Sequence, residues 1–86
     1  MEITKDRAAK KMLSYMKRQI TIKELVDWAE HAVMEGKFKP GQEKVLREVT
    51  GRIGVADVKA FGLAWEDCDA LMKKLGYKIH IDAIAA

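Results

Sequence analysis

The stretch from Thr21 to Glu35 constrains the fold of this chain more than any other. Set at about 100° per residue, Ile22, Leu25, Val26, Ala29, Ala32 and Val33 share one stripe, with Trp28 at its edge. Glu24, Asp27, His31 and Glu35 fall on the opposite side. A stripe that wide predicts a helix facing a core rather than a narrow coiled-coil seam. Thr21 and Glu24 have the spacing of a capping box, a hydroxyl for one orphan N–H and a carboxylate reaching back for another. Gly36 stands where a left-handed residue closes a helix. Such a helix needs neighbours to cover its apolar side, and the flanking sequence supplies them.

From about Thr4 to Arg18, Ala8, Ala9, Met12, Leu13 and Met16 make a second helical stripe, with Thr4 as its cap. Gln19-Ile20 is so short a connection that the first two helices are expected to be antiparallel neighbours. Gly36, Pro40 and Gly41 then interrupt helix, and Phe38 between them is expected to fold back on the core. Val45, Leu46, Val49 and Ile53 predict a third helix over 42–53 that Gly54 can end, with Gly51 weakening its last turn by up to ~1 kcal/mol relative to alanine. Val55, Val58 and Phe61 suggest a short helix stopping near Gly62.

Trp65, Cys68, Leu71, Met72 and Leu75 form a further stripe. Acidic residues at its start and Lys73 and Lys74 at its end suit the helix dipole, and Gly76 suits its C′ position. Tyr77 to Asp82 alternates apolar and polar, the pattern of a half-buried strand; it pairs with Lys59 to Leu63, pairs with a second copy of the chain, or is merely extended. The expected fold is mainly α: a compact bundle of four or five short helices with a short C-terminal β-strand, as a single domain over 1–86. The alternative is α+β, with a small two-stranded sheet from 58–63 and 77–82. The expected core is Met12, Leu13, Met16, Ile22, Leu25, Ala29, Val33, Val45, Leu46, Val49, Leu71, Leu75 and Ile79.

Composition narrows the function classes. No apolar run approaches the ~18 residues of a membrane span, and the N-terminus lacks the apolar region of a secretory signal. One cysteine excludes an intrachain disulfide and fits a reducing, cytoplasmic setting of bacterial type. Net charge is +3, unevenly spread: up to Lys23 there are seven basic residues against Glu2 and Asp6, and the remainder is net acidic.

Chemistry-bearing motifs are sparse. Asp27 and His31 are i, i+4 and could meet as carboxylate and imidazole, but His31 and His80 are the only histidines, too few for a zinc site. Cys68 lies on an apolar stripe among acidic neighbours, which favours a buried, inert thiol. There is no Cys-x-x-Cys, Gly-x-Ser-x-Gly, P-loop or Gly-x-Gly-x-x-Gly. The expectation is a non-enzyme without catalytic residues, metal or cofactor. Arg7, Lys10, Lys11, Lys17 and Arg18 give the first helix a basic face that could track phosphates. Trp28 and Tyr15 at stripe edges, with Met34, Glu24, Asp27 and His31 on the polar side of the second helix, are candidates for contact with a protein partner.

Ile20-Thr21-Ile22-Lys23-Glu24-Leu25 followed by Trp28-Ala29 resembles the second helix of small bacterial immunity proteins of the colicin-immunity type. The resemblance covers about ten residues and implies an inhibitor that neutralises a toxin. The leading expectation is a non-enzymatic protein–protein interaction module whose partner is either another protein or a second copy of itself. Nucleic-acid binding through the first helix and toxin neutralisation stand as alternatives.

Overall fold

The computed structural model describes residues 2–58 and 62–78. In chain order the elements are β1 (Glu2–Ile3), α1 (Lys5–Met16), α2 (Ile22–Glu35), β2 (Lys37–Phe38), α3 (Glu43–Gly54) and α4 (Trp65–Lys74). The architecture is mainly helical, four helices among the described residues with one small parallel sheet. The cap chemistry sets most boundaries. The Thr4 hydroxyl accepts from the Arg7 N–H at 3.1 Å and starts α1. At α2, Thr21 Oγ1 accepts from the Glu24 N–H at 3.1 Å, and Glu24 Oε1 accepts from the Thr21 N–H at 3.2 Å, completing the capping box. At α4 only half the device exists: Asp67 accepts from the Ala64 N–H at 2.9 Å, and Ala64 has no oxygen to return.

Two helices end in a Schellman pattern, in which N–H groups past the helix turn back to its last free carbonyls. After α4, Gly76 takes φ +90°, with Gly76 N–H donating to the Lys73 carbonyl and Tyr77 N–H to Met72. After α1 the same pair runs from Arg18 to Tyr15 and from Gln19 to Ser14, but the left-handed residue is Arg18, at φ 60°. Gly36 departs from expectation. It is extended (φ −77°, ψ 152°) rather than left-handed. A Cβ there would stand 2.7 Å from both the Ala32 carbonyl oxygen and Ile3 Cγ1. Glycine is needed at this position for close approach, not for handedness.

That approach exists because the sheet forms where sequence periodicity gave no sign of one. β1 pairs in parallel with β2, Glu2 opposite Lys37 and Ile3 opposite Phe38, with α1 and α2 as the crossover. Lys39 N–H donates to the Ile3 carbonyl at 2.9 Å, and Lys5 N–H donates to Gln42 Oε1 at 3.0 Å. These bonds fasten the start of the chain to the entrance of α3. Ile3 is fully buried, and Phe38 packs against the core as expected.

The rest of the core comes from all four helices: Ala8, Ala9 and Met12; Leu25, Ala29 and Ala32; Leu46, Val49 and Ile53; Cys68, Leu71 and Met72, with Leu75 capping the last of them. Leu13, Met16, Ile22 and Val45 pack at its margin. Val33 is a correction, being 57% exposed. It shares two surface hollows with Gly51 of α3, which has no side chain to cover it. Of the short helix expected over 55–63, the first residues are corrected: 55–57 form turns and Val58 a bend, held by Ala56 N–H to Ile53 and Val58 N–H to Val55. Residues 59–61 lie outside the described region. So do Ile79, His80 and most of the expected 77–82 strand; Tyr77 and Lys78 belong to no strand.

Candidate interaction surfaces

α2 and α3 pack together more extensively than any other pair of elements. On their outer side two hollows adjoin, both lined by Val33 and Gly51. One, of about 290 Å³, is completed by Ala29, Glu30, Met34, Thr50, Gly54 and Val55. The other, of about 470 Å³, is completed by Gly36, Phe38, Glu43 and Arg47. A Cβ added at Gly51 or Gly54 would meet nothing within 4 Å, so the backbone of α3 forms an open floor. Beside that floor Met34 stands 82% exposed, Val33 57% and Val55 38%. Thr50 is buried, and its hydroxyl donates to the Leu46 carbonyl at 2.7 Å, which leaves the floor without an unsatisfied hydroxyl. Glu30 and Arg47 flank the shared residues, one in each hollow, and neither makes an ion pair among the described residues.

Glu24, Asp27, His31 and Glu35 are all exposed. His31 does not meet the Asp27 carboxylate as the spacing suggested. Its Nδ1 lies 2.8 Å from the Asp27 backbone carbonyl, one turn earlier. This bond raises the imidazole pKa from its ordinary value, helped by the charges of Glu35, Asp27 and Glu30. No group of three or more His, Cys, Asp or Glu side chains able to hold a metal occurs among the described residues.

The five basic candidates of α1 and its end do not share one site. Arg7, Lys10 and Lys11, with Ser14, line a cleft of about 400 Å³ whose opposite wall is Trp28 of α2. Trp28 is half-buried and packs on the core with the rest of its surface. Lys17 lies beyond, at the helix end. Arg18 turns to a different hollow of about 480 Å³, shared with Tyr15, Ile20, Leu63, Trp65 and Cys68. Tyr15 is therefore grouped with α4 rather than with Trp28 or Met34. Trp65, placed on an apolar stripe by its spacing, is 49% exposed at the start of α4. Cys68 behind it is buried, and that burial, with the charge of Asp67, pushes its thiol up from the ordinary value. A thiol held protonated in this way is a poor nucleophile.

Sequence reasoning missed Arg52. Its Nη2 donates to the Gly62 carbonyl at 2.9 Å and lies 3.3 Å from Asp67 Oδ2. One guanidinium thus ties α3, the following connection and the start of α4. It also missed Gly51 and Gly54 as a surface floor. A glycine three residues from another in the third predicted helix is the available signal. No family model, curated protein or solved structure matches this chain. No helix among the described residues is long and apolar enough to cross a membrane.

Proposed function

We propose that this protein is a non-enzymatic interaction module that pairs with a second copy of itself through the outer face of α2 and α3. One observation carries the reading: an 82%-exposed Met34 stands next to an open floor at Gly51 and Gly54. A projecting side chain and a receiving hollow on the same patch are what a two-fold interface requires, because each copy supplies both. Flexible, polarisable methionine suits such a hollow. The flanking charges agree with this arrangement. A two-fold axis through the Val33–Gly51 line carries Glu30 of one copy toward Arg47 of the other, opposite signs on both sides. The patch is small beside standard interfaces, so the pairing is weak, with a Kd on the order of 10–100 μM.

Backbone NMR over a dilution series tests it. The amide signals of Gly51 and Gly54 are expected to move with protein concentration, while those of Lys10 and Lys11 on α1 stay fixed. Concentration-independent glycine signals up to about 1 mM protein would remove the reading.

A further inference from the structure

We propose that the cleft between α1 and Trp28 binds single-stranded nucleic acid, one base stacking on the indole and neighbouring phosphates held by Arg7 and Lys11. This site lies apart from the self-association face and does not depend on it. The cleft, about 400 Å³, brings together what such a ligand needs: Arg7, Lys10 and Lys11 on one wall and an aromatic plane on the other. Lys10 is engaged by Asp6 at 3.1 Å, whereas Arg7 and Lys11 make no ion pair among the described residues. Those two are one turn apart, a rise of about 6 Å, which an extended strand can match with successive phosphates.

Trp28 is pre-organised for stacking. Its packing on the core fixes the ring, and the remainder walls the cleft. The Ser14 hydroxyl already donates to the Lys10 carbonyl at 3.0 Å, so no free hydroxyl donor reads base edges. Recognition then rests on charge and stacking, the sequence-tolerant mode of single-strand binding. An acidic peptide would use the cations but leave the indole idle. An anionic membrane would need apolar side chains projecting around the cations, and the aromatic here is recessed. The excess of basic over acidic residues before Lys23 adds long-range attraction for a polyanion.

The test uses the full chain with Trp65→Phe, so that emission reports Trp28 alone. Decathymidylate is titrated in at about 50 mM salt. Quenching is expected, with an affinity that falls on salt addition at a log–log slope of about −1.4, the value for two phosphate contacts on a single strand. Arg7→Glu with Lys11→Glu should weaken binding by about tenfold or more and flatten that slope. Both positions are solvent-accessible on α1, so circular dichroism should be unchanged. Lys44→Glu on α3, a charge change elsewhere, should move affinity by less than about twofold. The proposal fails if decathymidylate does not quench Trp28, or if the double variant binds as tightly as its parent. It also fails if polyglutamate or phosphatidylserine vesicles displace the oligonucleotide at equal charge, which would make the cleft a general polyanion or lipid patch.

Discussion

Ile3 presses so closely on Gly36 that a single added Cβ would come within 2.7 Å of its Cγ1. The same atom would come equally near the backbone oxygen of Ala32. Neither neighbour is the free end of a flexible side chain. Ile3 is a fully buried residue of β1, and the carbonyl belongs to α2. Gly36→Ala is therefore expected to destabilise the fold by about 1–3 kcal/mol, the range for overpacking a closed site. Chemical denaturation measures this directly. A variant as stable as the parent would mean that β1 does not dock where it is described.

Ala64 offers the opposite experiment. Its backbone is extended (φ −78°, ψ 170°), the geometry of an N-cap, and Asp67 already accepts its N–H. Only the returning oxygen is missing. Ala64→Ser should supply it to the Asp67 N–H and stabilise the protein by about 0.5–1 kcal/mol, the usual worth of such a cap. The residue is exposed, so no packing opposes the change. Thermal melting checks it, and an unchanged or lower midpoint would contradict the cap assignment.

The pH dependence has two arms of opposite sign. Asp6 is held below the ordinary carboxyl value of 3.8, chiefly by its bond to Lys10 and then by the Tyr77 hydroxyl, which donates to Oδ1 at 3.1 Å. A lowered folded-state value means that its stabilisation is present above the unfolded value and lost as pH falls through the folded one. The bond from Tyr77 reaches across 71 residues, so acid below about pH 4 should loosen the C-terminal end of the described chain from α1. His31 runs the other way. Its value is raised above 6.5 by the bond to the Asp27 carbonyl, so its contribution is complete below that pH and disappears as pH climbs through the raised value. Proton NMR titration should place His31 above 6.5 and show the Tyr77 ring signals shifting in acid. In Asp6→Asn the acid shift of Tyr77 should vanish. A His31 midpoint at or below 6.5 would deny the carbonyl bond.

Much of this architecture was legible because its helices carry their own punctuation. Thr4, Thr21 with Glu24, and Gly76 each act through a few neighbouring residues, so local sequence sufficed to find them. The apolar stripes likewise located Met12, Leu25, Leu46 and Leu71 in the core. The failures are non-local. Two residues, Glu2 and Ile3, are too few to show a strand period, and their partner lies beyond two helices. Val33 has the helical phase of the buried Val26, seven residues before it, yet it is exposed because the facing position on α3 is glycine. No helical wheel contains that information.

The surfaces divide in the same way. Basic spacing picked out Arg7, Lys10 and Lys11, but Trp28 came to face them through the packing of α2 against α1. The i, i+4 rule brought His31 near Asp27 and could not say that a backbone oxygen, rather than the carboxylate, would receive it. Taken alone, Gly51 reads as a weak point in a helix and Gly54 as its end. Beside Met34 they become the floor of a hollow.

Sedimentation equilibrium on the parent and on Met34→Glu decides whether the α2–α3 face joins two copies of this chain. Met34 is 82% exposed, so the substitution leaves the core untouched, while a carboxylate at that point would be carried into the apolar hollow of a partner. Pairing through Met34 gives a parent whose apparent mass rises toward a dimer as concentration passes about 10–100 μM, and a variant that stays monomeric throughout. A parent that remains a monomer over that range, or a variant that dimerises as well as the parent, would contradict it.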